Sequence, residues 1–172
     1  MVERRHLIDG LTIKFSGLFS AKDLYSVIDK WLQDNRYDKR EIKNAELVRP
    51  GGKYIEIELL PWKKITDYAR YEIRVRIFVQ DMTDAEVEKE GKKVKMNKGD
   101  VTIVLDGFLS TDYENVWENK PVFYFLRTIF DKYIYKLYTN RFEKGLKSDV
   151  FHLNRLIKGF FNLGRYIPEG TY

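Results

Sequence analysis

Two histidines, 26 carboxylate side chains and no cysteine set the chemical inventory of this 172-residue chain. Without Cys there are no disulfides, thiolate metal sites or cysteine nucleophiles. His6 and His152 share no metal-ligand spacing, so they read as solvated or capping residues and no metal is expected. RPGGKY, residues 49–54, has the glycines of a phosphate loop but lacks the Lys-Ser/Thr that should follow. It leads into a strand pattern, so it reads as a hairpin turn. No G-x-S-x-G, H-E-x-x-H or dinucleotide fingerprint occurs, and no cofactor is expected.

Asp106 is the carboxylate best placed for chemistry. Strand alternation puts it on one face with Thr102, Val104 and Phe108. A lone acid in such company can acquire a raised pKa and serve as a general acid. The other outcome is an ion pair with Arg74 or Arg76 on the neighbouring strand. Glu56 and Glu58 are expected to face the same two arginines as a solvent-side charge ladder, worth under about 1 kcal/mol per pair. Asp112 and Glu114 fall in a loop expected to cap a helix at Pro121, with Glu118 close by. No catalytic residue is assigned on this inventory. An acid–base enzyme using Asp106 stays open as the lesser alternative.

The elements that must hold these residues follow from periodicity. LTIKFSGLF alternates as a half-buried strand, with Leu11, Ile13 and Phe15 on one face. Ser20 followed by Asp23 marks a helix start, Leu24, Val27, Ile28, Trp31 and Leu32 form its stripe, and Asn35 ends it. KREIKNAELV and YIEIELL flank the turn at 50–53. ARYEIRVRIFVQ gives the cleanest alternation, Tyr71 to Val79 on one face. AEVEKEGKKVKM reads as a small hairpin and NKGD as a further turn. VTIVLDGFLSTDY is a long strand in which Gly107 predicts a bulge or bend. Pro121 opens a long helix to about residue 143, and Ser148 or Asp149 caps a last one to about Asn162.

The fold class predicted is therefore α+β. An antiparallel meander of about six to seven strands is covered by a long C-terminal helix, with one helix after the first strand and one extra terminal helix. One domain spans 1–172, with 1–6 and 165–172 as loose tails. MVERRHLIDG lacks the apolar run of a signal peptide, and no stretch of about 18 apolar residues occurs. A cytoplasmic protein without a membrane span is expected. The absence of Cys, the 33% charged fraction and the scarcity of Gln lean toward a thermophile-like composition.

The net charge of +5 is unevenly placed: from Lys120 onward ten Lys and Arg face four acids. Half of the aromatic residues lie there too. On a helical wheel Val122, Leu126, Ile129, Phe130, Tyr133 and Leu137 form one seam, expected to face the sheet. Tyr124, Asp131, Tyr135, Tyr138 and Phe142 form a second seam nearly opposite, beside Arg127. The second seam needs a partner. The last helix, folded back through Lys144–Lys147, is the leading one, and an oligomer through this face is the next.

The order of strand, helix, antiparallel strands and long helix resembles the helix-grip superfamily, the START-like and birch-pollen-allergen-like proteins, over roughly residues 10–143. The resemblance implies a cavity between sheet and helix that holds an apolar ligand, lined here by Tyr71, Ile73, Val75, Phe108, Leu126 and Tyr133. Two functions are carried forward. One is a non-enzymatic binding protein holding an apolar small molecule in that cavity. The other is a basic, aromatic module docking on nucleic acid, a ribonucleoprotein or a protein partner. Its surface would comprise Tyr124, Arg127, Lys132, Tyr135, Lys136, Tyr138, Arg141, Lys144, Lys147 and Lys158. The sheet face bearing Lys14, Arg74 and Arg76 is a secondary docking surface.

Overall fold

The computed structural model describes residues 3–67, 69–89, 92–111 and 135–164. The fold is α+β: a six-stranded antiparallel sheet, a helix after the first strand and a C-terminal helix. In chain order these are β1 (Glu3–Phe19), α1 (Ala21–Asp34), β2 (Glu41–Arg49), β3 (Gly52–Leu59), β4 (Trp62–Lys64), β5 (Ala69–Lys89), β6 (Lys92–Thr111) and α2 (Tyr135–Gly164). The strand order is β1-β6-β5-β3-β2, with β4 also paired to β5. α1 starts and stops where its polar residues cap it: Ser20 accepts from the Asp23 amide, and the Asn35 amide closes the last turn.

Alternation divides the sheet into two faces. Ile73, Val75, Ile77 and Val79 of β5 join Val101, Ile103 and Leu105 of β6 on the face that packs against the helices. α2 supplies Leu146, Val150, Leu153, Ile157 and Phe161, at helical spacings of three and four. α1 adds Leu24, Ile28, Trp31 and Leu32. Two side-chain bonds pin the helices and their loop together: Trp31 Nε1 donates to His152 Nδ1 at 3.2 Å, and the Tyr37 hydroxyl donates to Asp149 at 2.8 Å.

The structure corrects three expectations. Glu3–His6 is not a tail but the start of β1, paired with 108–111 of β6. NKGD makes no turn, because β6 runs straight through Asn97–Asp100 in ladder with β5. Gly99 sits there for clearance: a Cβ would come within 2.9 Å of the Gln80 carbonyl and 3.1 Å of Met82 Cα, at a bulge in β5. The expected reversal at Lys144–Lys147 does not occur either, since α2 is helical throughout that stretch. Within the described part of α2, Leu146 to Phe161 cover the sheet. The seam expected to face the sheet, Val122, Leu126, Ile129, Phe130 and Tyr133, lies outside the described residues, as do 165–172.

Gly145 explains the mistaken helix break. It lies directly over Tyr71, and a Cβ there would collide with the Tyr71 hydroxyl and come 3.3 Å from its Cζ. The glycine lets the helix backbone touch the sheet. Gly145→Ala is therefore expected to destabilise the fold by about 1–2 kcal/mol, even though Ala favours a helix by about 1 kcal/mol. In a Tyr71→Phe background, which removes the hydroxyl, the same change becomes neutral or stabilising. Urea unfolding of the four proteins in this cycle measures the reversal of sign.

Candidate nucleic-acid interface

The solvent side of α2 carries one charge type. Arg141, Lys144, Lys147, Arg155 and Lys158 are all exposed. At 100° per residue they fall within roughly 120° of arc, and at 1.5 Å per residue they span about 26 Å. The two acids on the same stretch are turned away from that arc. Glu143 is half-buried and accepts from Arg5 at 2.7 Å. Asp149 is half-buried between the Tyr37 hydroxyl and Lys63 Nζ, the latter at 3.6 Å. No ion pair ties up any of the five cations among the described residues. Phe151 stands among them, 47% exposed.

A cleft of about 240 Å³ continues this surface at its C-terminal end. Lys158, Phe161 and Asn162 of α2 face Thr12, Ile13, Lys14 and Phe15 of β1 across it. Phe15 stacks on Phe161 with centroids 4.5 Å apart, fixing the walls.

Of the residues singled out from sequence, Arg141, Lys144, Lys147 and Lys158 come together on this face. Tyr135, Lys136 and Tyr138 belong to the first turn of α2 by backbone, and Tyr124, Arg127 and Lys132 lie outside the described residues. Arg155 and Phe151 were missed. Their signal is the helical repeat counted on from Lys144, visible only when 135–164 is taken as one helix.

Of the residues expected to line an apolar cavity, the four described ones divide between the two faces of the sheet. Tyr71, Ile73 and Val75 are buried under α2. Phe108 points to the other side of the sheet, where His6 stacks on it at 4.4 Å and Arg4 covers it at 3.9 Å. Leu126 and Tyr133 are outside the described residues. At Gly107 the helix rests on the sheet: a Cβ added there would lie 3.4 Å from the Val150 side chain.

The same outer face holds Asp106, which is completely buried. Its Oδ1 accepts from the Gly10 amide at 2.8 Å, and its Oδ2 from Arg74 at 2.9 Å and Arg76 at 3.0 Å. Burial alone would push this carboxyl up, but the amide and the two guanidiniums outweigh it and hold it below its ordinary value. An acid so held stays ionised, which is the opposite of a general acid. Asp106 ties the irregular part of β1 to β5 and β6. Arg74 and Arg76 thus turn to a buried carboxylate, where attraction is stronger, instead of to Glu56 and Glu58. Glu56 pairs with Lys43 at 2.7 Å. Glu72 is likewise enclosed, by Arg4 at 2.9 Å, by Arg70, and by the Ser110 hydroxyl at 3.0 Å.

His6, Asp9 and Asp106 offer ligand atoms within 4.8 Å of one another. Asp106 already accepts from the Gly10 amide at Oδ1 and from both arginines at Oδ2, so a cation at Oδ1 would face two guanidiniums on the same carboxylate. The bonds observed make the cluster a structural hub. Asp112, Glu114 and Glu118 lie outside the described residues.

No protein-family model matches this chain, and no curated protein matches it. Among the described residues, no helix is long and apolar enough to cross a membrane.

Proposed function

We propose that the protein is a non-enzymatic binding module whose α2 surface docks on the sugar–phosphate backbone of a single-stranded nucleic acid. The observation that carries this reading is the row of five exposed cations, free of ion pairs among the described residues, with both neighbouring acids drawn inward. Phosphates neutralise such a row, and an exposed ring among the cations gives a base a face to stack on. Phe151 takes that part, and the cleft between Lys14 and Lys158 receives the chain at the end of the row.

An anionic membrane is a poorer match. A helix lying in a bilayer surface sinks an apolar face into it, and the apolar face of α2 is occupied by the sheet. An apolar ligand beneath the helix has less support, because Gly145 meets Tyr71 and Gly107 meets Val150 with the two layers in contact. Ultraviolet cross-linking to a uridine-rich oligonucleotide, followed by peptide mapping, tests the site. Adducts are expected at Phe151 and its neighbours on α2. Adducts confined to the sheet face around Arg74 and Arg76, or none at all, would reject the assignment.

A further inference from the structure

The cleft at the C-terminal end of the α2 row differs from the rest of that surface in shape and in charge. Along the row a convex helix presents its cations from one element. Here two elements meet around about 240 Å³ of space, and each brings a lysine, Lys158 from α2 and Lys14 from β1. Both lysines are exposed, and neither has an ion pair among the described residues. No acid lines the cleft among the described residues. Its floor is closed by Phe15 and Phe161, stacked and only 8% and 4% exposed, and Asn162 adds an exposed side-chain amide at the rim.

Two cations brought to one cleft without a counter-charge repel each other. The dipole of α2 does not account for them. It favours a cation only within the last turn, and that turn holds no basic residue. The sheet gives no partner either, since Lys14 stands opposite the neutral Thr102 in the ladder with β6. An anion between the two lysines relieves the repulsion, and a doubly charged one relieves it best.

A link in the middle of a nucleic-acid strand is a phosphodiester with one negative charge, which one cation of the row matches. A phosphate at the end of the strand is a monoester. At neutral pH it carries about −1.5 to −2 charges and offers three strong acceptor oxygens. Two lysines from opposite walls, with an amide donor beside them, suit the second group.

We infer that this cleft holds the terminal phosphate of the strand, so that the protein grips a phosphorylated end and lays the adjoining nucleotides along α2. This rests on the nucleic-acid reading above and adds where the strand stops. Three oligonucleotides of one sequence test it, with a 5′-phosphate, with a 3′-phosphate, and with hydroxyls at both ends, each labelled on an internal base. In anisotropy titrations at moderate salt, one phosphorylated form is expected to bind the wild type about tenfold tighter than the hydroxyl-ended form. Which form it is identifies the end that is held. Lys14→Gln should bring that ratio close to one, whereas Lys144→Gln, towards the other end of the row, should weaken all three and keep the ratio. Equal affinity for the three, an equal gain from either phosphate, or a preference that Lys14→Gln spares or Lys144→Gln also erases overturns the inference and leaves the row on α2 standing. Failure of all three to bind removes the nucleic-acid reading, and the inference with it.

Discussion

Asp106→Asn is expected to lower stability by about 2–4 kcal/mol, which in a chain of this size moves the midpoint of thermal unfolding by roughly 5–12 °C. The change keeps the shape of the side chain and its bond to the Gly10 amide, but leaves Arg74 and Arg76 without their shared counter-charge. Both arginines are partly exposed and can recruit water, so the loss falls short of that for a fully sealed pair. The sign of the pH dependence follows from the depressed carboxyl. Asp106 binds its proton more weakly folded than unfolded, so its contribution is complete at neutral pH. It is lost as pH falls from about 4, the ordinary value for Asp, through the lower folded value. The gap between wild type and Asp106→Asn should therefore narrow in acid, as denaturant melts at neutral pH and below pH 4 would show. An unchanged gap would mean that the carboxylate's charge is not what holds this corner.

The other large effect concerns binding. Reversing Lys144, Arg155 and Lys158 together to Glu should weaken binding to a single-stranded oligonucleotide by about 100-fold or more at moderate salt. All three side chains are exposed on the outer arc of α2 and free of ion pairs among the described residues, so stability should change by under about 1 kcal/mol. Affinity falling while the melting curve stays in place separates a docking surface from a structural one.

Much of the frame is legible in the residues, and the failures share a cause. Alternation from Tyr71 to Val79 places β5 and its buried face, the Ser20 and Asn35 signals bound α1, and Pro50-Gly51-Gly52 places a hairpin. Asp106 reads as a carboxylate within reach of Arg74 and Arg76, and the structure pairs it with both. Gly99 and Gly145 read as punctuation, the first inside a turn and the second inside a helix connection. In the fold both are clearance residues within continuous elements, where another backbone or ring comes close. Nothing local distinguishes the two uses of glycine. The start of β1 is hidden for a related reason. Glu3, Arg4, Arg5 and His6 look like a polar tail, and only their ladder to β6 and the stacking of Arg4 and His6 on Phe108 make them strand.

The candidate interface is partly legible for the same reason. Its basic bias is plain from composition, which singles out Arg141, Lys144, Lys147 and Lys158. Breaking the helix at Lys144–Lys147 interrupts the row of cations with a supposed turn and hides Arg155 and Phe151. Taken as one helix, the row becomes continuous. The inward pairing of Glu143 with Arg5 and of Asp149 with Tyr37 and Lys63 depends on partners more than 80 residues away in the chain. No pattern within α2 announces it.

Fluorescence anisotropy of a labelled single-stranded oligonucleotide, titrated with the wild-type protein across a series of salt concentrations, tests the central claim most directly. Five phosphate contacts give a plot of log affinity against log salt with a slope of about −3.5. Binding with that slope, much flattened in the triple reversal, is the expected result. Binding that ignores salt, or a slope that the reversals leave unchanged, would contradict it.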